Sequence, residues 1–209
     1  VSKMRLIIYS LIGLLVVCGG VLAMKTLTKS VVNLKGEKTE LLYIPTDATF
    51  DDVKQLLRMN DWLSDDVTFT LIAQWMNYIG NVKPGCYELS DGMTARELVG
   101  KLRSGNQKPF NVTFNNIRQL SQLAGKVSAV LECDSAEYLR AMTDENLIAE
   151  FGFTRETFPA MFIPNTYQFM WNTDGEQWVR RMHSEYDKFW TKERQHKADS
   201  LGLTRMEVS

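Results

Sequence analysis

Histidine is almost missing from this chain: His183 and His196 are the two copies in 209 residues. Neither sits in a metal-ligand motif, so a histidine-built metal centre or a histidine-driven triad is not expected. Both are expected on the solvated or interfacial side of the long helix near the C-terminus. Cysteine is scarce too, at Cys18, Cys86 and Cys133, with no ligand spacing among them. They make no disulfide framework; Cys86 and Cys133 read as two separate buried thiols, with a bridge between them as the alternative. No charge of one sign dominates: 24 Lys and Arg stand against 25 Asp and Glu, for a net charge of −1. That leaves no basic surplus to hold nucleic acid. A glycine-rich phosphate loop, a serine elbow and a Cys/His pairing are all missing. No cofactor and no metal are expected.

The chain does contain one long uncharged run, Leu6–Met24, between Arg5 and Lys25. As a helix it would span roughly 28 Å, close to the hydrocarbon thickness of a bilayer. A cleaved signal peptide competes, but Val21-Leu22-Ala23-Met24 is a poor cleavage site. A lipoprotein site at Cys18 would follow the bulky Val17. The expected layout is a cytoplasmic tail at 1–5, a transmembrane anchor at 6–24 and a polar stalk at 25–39. Lys3 and Arg5 favour a cytoplasmic N-terminus. The rest of the chain would then lie on the outer side of the inner membrane as a single-pass protein.

Beyond the stalk, the fold class reads as α+β. Glu40–Pro45 predicts a strand. Phe50, Val53, Leu56 and Leu57 recur at helical spacing, and Ser64-Asp65-Asp66 cap a second helix. Lys83-Pro84-Gly85 turns into a strand at 86–89. Thr94 and Glu97 form a capping box for a third helix, and Pro109–Phe114 is another strand. Residues 40–114 are therefore expected as one β-α-α-β-α-β module. In 115–209, Ile117, Leu120, Leu123, Ala124 and Val127 make one amphipathic stripe. Tyr138, Leu139 and Met142 belong to another. Gly175–Ala198 reads as one long helix, with Trp178, Met182, Tyr186, Phe189 and Trp190 on a single face. Thr204 and Glu207 form a second capping box just before Ser209.

Phe158–Thr173 is the stretch richest in aromatics and turn formers. Pro159 and Pro164 exclude a continuous helix there. Tyr167, Phe169 and Trp171 then alternate with Gln168, Met170 and Asn172, the period of a strand. Two readings stay open. The stretch is a core hairpin strand, with Phe162, Phe169 and Trp171 packing inward. Alternatively it walls a groove, with Asn165, Thr166 and Tyr167 offering polar tips to a substrate.

Three features together resemble the endolytic murein transglycosylases, the YceG-like family. The first is the anchor with its stalk. The second is Lys83-Pro84-Gly85-Cys86-Tyr87-Glu88-Leu89 followed by Met93-Thr94-Ala95-Arg96-Glu97-Leu98-Val99 and Leu102-Arg103-Ser104-Gly105. The third is Phe162-Ile163-Pro164-Asn165-Thr166-Tyr167, whose Ile-Pro-Asn-Thr-Tyr form is similar to that of the Bacteroidetes branch. The resemblance covers nearly the whole chain. It implies a LysM-like module at 40–114 and the first part of a YceG-like catalytic domain at 115–209.

The resemblance also implies chemistry. The family cleaves peptidoglycan glycan strands between N-acetylmuramic acid and N-acetylglucosamine without water, leaving 1,6-anhydro ends. A single carboxylic acid protonates the leaving oxygen, then accepts the proton of the sugar's own 6-hydroxyl as that group attacks C1. Two-carboxylate hydrolysis works differently. Leu203–Ser209 looks like the lead-in to the family's catalytic helix, and Glu207 matches the capping Glu of that lead-in. The expectation is therefore a chain truncated before its catalytic Glu and inactive as it stands, with no catalytic residue assigned. Glycan strands are the expected partner, with cell-wall synthases as further candidates. A non-enzymatic, membrane-anchored peptidoglycan-binding or scaffold protein is the alternative. Truncation is also expected to leave the apolar face of the 176–198 helix uncovered.

Overall fold

Five segments with matched caps and periodicity build the first half of the described chain. The computed structural model of the protein describes residues 28–116 and 118–208. The chain divides into two compact units between Gln107 and Lys108. In the first, strand β1 (Thr39–Ile44) pairs antiparallel with β2 (Gly85–Ser90), with Thr39 opposite Ser90 and Ile44 opposite Gly85. Helices α1 (Phe50–Met59) and α2 (Asp66–Trp75) connect the strands, and α3 (Ala95–Ser104) follows β2. Thr49 with Asp52 and Thr94 with Glu97 form reciprocal capping boxes, while Asp65 caps α2 through the Thr68 N–H. Each cap satisfies N–H groups that the first helical turn leaves without partners. Leu42, Ile44, Val53, Leu57, Phe69, Tyr87, Leu98 and Leu102 close one core between strands and helices.

The expected stalk is folded where it is described. Val31, Val32 and Leu34 are buried in that core, and bridges tie Ser30 to Thr94 and Val32 to Leu63. Their apolar side chains and paired backbone explain why this segment packs instead of standing in water. The expected anchor at 6–24 lies outside the described residues. Among the described residues, no helix is long and apolar enough to cross a membrane.

The second unit holds strands β3 (Pro109–Phe114) and β4 (Asn165–Met170). Helices α4 (Leu120–Ser128), α5 (Ser135–Met142) and α6 (Glu145–Glu150) and a 3-10 turn at Phe158–Met161 lie between them. Helices α7 (Gly175–Phe189), α8 (Lys192–Ser200) and α9 (Arg205–Val208) follow. The strand expected to complete the 40–114 module does not join β1 and β2. It pairs antiparallel with β4, Pro109 opposite Met170 and Phe114 opposite Asn165. Its inward residues Val112 and Phe114 meet the inward Tyr167 and Phe169 of β4, and Phe114 stacks on Tyr167 at 5.6 Å.

Two further expectations change. The single helix over 175–198 is two helices: Trp190 leaves helical geometry, and the Thr191 side chain caps α8 through the Arg194 N–H. The apolar face of α7 is not bare. Trp178, Val179 and Met182 are fully buried, and Trp178 stacks on Phe162 and Phe169. Phe162 and Phe169 thus pack as expected, while Trp171 is half-buried beyond the end of β4. No disulfide joins Cys86 to Cys133. Burial pushes the Cys133 thiol up to about 12, away from a reactive thiolate.

Candidate functional site

The β3–β4 ribbon has one face in the core and one in solvent, as alternation requires of a two-stranded sheet packed on one side. On the open face Thr113 lies opposite Thr166, Asn111 opposite Gln168 and Pro109 opposite Met170. All six are exposed. The face is a ladder of hydroxyl, amide and apolar rungs.

The three residues expected to offer polar tips are placed differently from one another. Asn165 is exposed at the start of β4, and its Oδ1 accepts the Thr166 N–H at 2.8 Å. Thr166 stands on the open face and shares a 2.7 Å hydrogen bond with the Thr113 hydroxyl. Tyr167 points the other way. Its ring is 7% exposed, and its hydroxyl donates to the Ile163 carbonyl at 2.6 Å. Burial raises its pKa, with the negative charge of Glu185 adding to the effect. Strand periodicity is the cause: a residue beside the outward Thr166 must face inward. Of the three, Thr166 alone belongs to the open face.

At the other end of β4 the ribbon meets the first turns of α7 in a cleft of about 420 Å³. Pro109, Gln168, Phe169, Met170, Thr173, Gln177 and Arg181 line it. Asp174 caps α7 through the Gln177 N–H at 2.8 Å, fixing where Gln177 and, one turn later, Arg181 emerge. The Arg181 guanidinium lies 5.9 Å from the Phe169 ring centroid and donates from Nε to Glu185 Oε1 at 2.8 Å. Amide and guanidinium donors around an apolar floor suit a neutral, hydroxyl-rich ligand. Gln177 and Arg181 carried no motif in the sequence. Their one local signal is Asp174 as an N-cap, which sets them a turn apart on the helix that follows the aromatic strand.

Neither Glu185, which Arg181 ties to this cleft, nor Glu207 in α9 has the raised pKa that suits a general acid. Hydrogen bonds from Lys188 and then Arg181 hold Glu185 below the ordinary carboxylate range. Glu207 accepts the Thr204 N–H and hydroxyl, each at 2.8 Å, and these bonds lower its pKa as well. It is the capping group the sequence indicated. His183 is engaged by stacking on Phe151 at 4.1 Å, and His196 is exposed. Among the described residues, no group of acidic, histidine or cysteine side chains is placed to hold a metal ion. A cleft of about 400 Å³ in the first unit, lined by Asn77, Asn81, Lys83 and Arg103 among others, has cations but no aromatic floor.

Comparison with known proteins adds a frame to this geometry. The profile of the YceG-like family matches residues 42–209. Among solved structures, a YceG-like protein from Listeria monocytogenes is similar at 21% identity and a TM-score of 0.43. The similarity covers 80% of this chain and 60% of that one. No protein of curated function matches.

Proposed function

The chain belongs to the YceG-like family, and from that premise we propose that it acts on peptidoglycan glycan strands as part of an endolytic lytic transglycosylase. The match over 42–209, spanning both units, is the observation that carries this reading. In the proposed scheme the N-terminal run at 6–24 anchors the protein in the inner membrane, N-terminus inside. Cell-wall synthases are its proposed protein neighbours. The first unit serves as the LysM-like module, a reading supported by its two antiparallel strands joined through two helices. The open face of the β3–β4 ribbon and the adjoining cleft hold sugar rings. Gln168, Gln177 and Arg181 supply donors to hydroxyl and acetamido oxygens, and Thr166 extends the same face. We assign no catalytic acid within these residues.

A second reading, a glycan-binding protein without lyase chemistry, is favoured by the cleft lined by Gln168, Gln177 and Arg181, whose neighbouring Glu185 is held below the ordinary carboxylate range by Lys188 and Arg181. One experiment separates the two. Purified protein is incubated with sacculi, and the soluble and insoluble fractions are examined by mass spectrometry for 1,6-anhydro-muramyl ends. Their appearance supports the lyase. Co-sedimentation without new anhydro ends supports the binding protein, and the absence of both co-sedimentation and new anhydro ends overturns both readings. Arg181→Met should weaken retention roughly tenfold, as the loss of one charged hydrogen-bond donor predicts.

A further inference from the structure

Helix α2 breaks the usual rule for a surface helix. Its inner side, Phe69, Ile72 and Ala73, is buried in the first core. Its outer side carries Val67, Leu71 and Trp75, which are 69%, 56% and 68% exposed. These three recur one turn apart and form a continuous stripe. No charged residue occurs between Asp66 and Lys83. A helix apolar on both sides is normally buried or in contact with lipid. Trp75 is the only exposed tryptophan of the chain's five.

What could cover this stripe follows from where the chain enters the fold. Lys29 Nζ lies 2.8 Å from Asp65 Oδ2, the carboxylate that caps α2. The Ser64 N–H and hydroxyl donate to the Val31 carbonyl at 2.9 and 3.1 Å, and the Asn33 N–H donates to Trp62. The entering segment is thus stitched to the residues directly before α2. Five positions separate Met24, the end of the proposed anchor, from Lys29. They can reach at most roughly 18 Å. The helix itself is about 15 Å long. If the anchor spans the bilayer, the stripe cannot be far from its surface. The acidic groups at the near end would not repel an anionic surface strongly, because Asp65 is paired with Lys29 and Asp66 with Arg58.

We infer that α2 docks the first unit on the outer surface of the membrane, with Val67, Leu71 and Trp75 set into the headgroup–acyl boundary. Tryptophan favours that boundary, where an apolar ring and a polar N–H are both accommodated. The inference rests on the anchor reading of 6–24 and goes beyond the glycan reading, which does not need it. Docking would hold the first unit down and fix the height above the membrane at which the chain leaves it for the second unit.

The test uses the full chain reconstituted in vesicles of phosphatidylethanolamine and phosphatidylglycerol, with and without lipid brominated on its acyl chains. A carbonate wash comes first. A chain that washes off overturns the anchor and the docking inference with it. In a retained chain, bromolipid should quench tryptophan emission, and Trp75→Phe should remove most of that quenching. Leu71→Glu, which leaves Trp75 in place but charges the stripe, should lower it as well. Equal quenching in the wild type and Trp75→Phe, with both chains retained, overturns the docking while leaving the anchor standing. It would assign the stripe to a protein partner.

Discussion

Gly85 shows what the Lys83-Pro84-Gly85 turn and the neighbouring Tyr87 are for. Its φ of +134° lies where side chains are rarely tolerated, and an added Cβ would sit 2.0 Å from Cδ of Gln107. The Gln107 side chain donates to the Pro84 carbonyl, so it is not free to move away without loss. Tyr87 is fully buried and donates its hydroxyl to the Lys83 carbonyl at 3.0 Å, closing the turn. These contacts hold the turn against the segment around Gln107. Gly85→Ala should lower stability by about 1–3 kcal/mol, and Tyr87→Phe by about 1 kcal/mol, both read from denaturant midpoints. Asp65 allows a test by pH. The hydrogen bond from Lys29, helped by the Thr68 N–H, lowers its pKa to about 2, from an unfolded value of about 3.9. A group with a depressed folded pKa stabilises the fold above its unfolded pKa and loses that contribution as pH falls through the folded value. Stability should therefore drop between roughly pH 4 and pH 2. Asp65→Asn keeps a capping oxygen but removes the ion pair, so its unfolding midpoint should fall less steeply across that window. An unchanged slope would show that other carboxylates set it.

Helices with strong caps were legible in the sequence, and weakly capped breaks were not. The Thr94–Glu97 and Thr204–Glu207 boxes sit where Thr-x-x-Glu placed them. The break at Trp190–Thr191 went unread because Arg194, not Glu, occupies the N3 position and the polar residues of α8 are all compatible with a continuing helix. Nothing local says that α7 must stop. The stop coincides with the burial of Trp190 in the core, a tertiary fact. Thr191→Ala should therefore lower stability by about 1 kcal/mol, whereas Thr191→Asp should hold the midpoint near that of the wild type. Equal loss in both would mean that the cap does not set the break. Strand pairing was the least legible feature. The alternation of Phe110, Val112 and Phe114 shows that β3 has an apolar face. It cannot say whether β2 or β4 lies beside it, since pairing partners are far apart in sequence. The candidate site inherits that limit. Tyr167 read as a groove residue until its register placed it inward, and Gln177 and Arg181 came forward only once α7 was set against β4.

Each unit carries its own core, and that division has a measurable consequence. Leu98 is fully buried among residues 31–102, while Trp178 is fully buried among residues 112–198. The two clusters share no member. Trp178 also stacks with Phe162 and Phe169 and meets Tyr138 edge-on, so truncating it opens a void against several rings. Leu98→Ala should remove about 2–5 kcal/mol, and Trp178→Ala about 3–5 kcal/mol, through lost burial and the cavity left behind. Because effects at sites with no shared partners add without spreading, each loss should remain within its own unit. Hydrogen exchange read peptide by peptide is the appropriate measurement. In Leu98→Ala, amides of β1, β2 and α3 should lose protection while those of β3, β4 and α7 keep theirs, and Trp178→Ala should show the reverse. The void around Trp178 also tests the site itself. Phe169 floors the cleft and stacks on Trp178, so its support is lost in Trp178→Ala even though Gln177 and Arg181 are untouched. Glycan retention should then fall together with protection of β4. Retention that survives the loss of β4 protection would move the binding surface off the ribbon and onto the first unit.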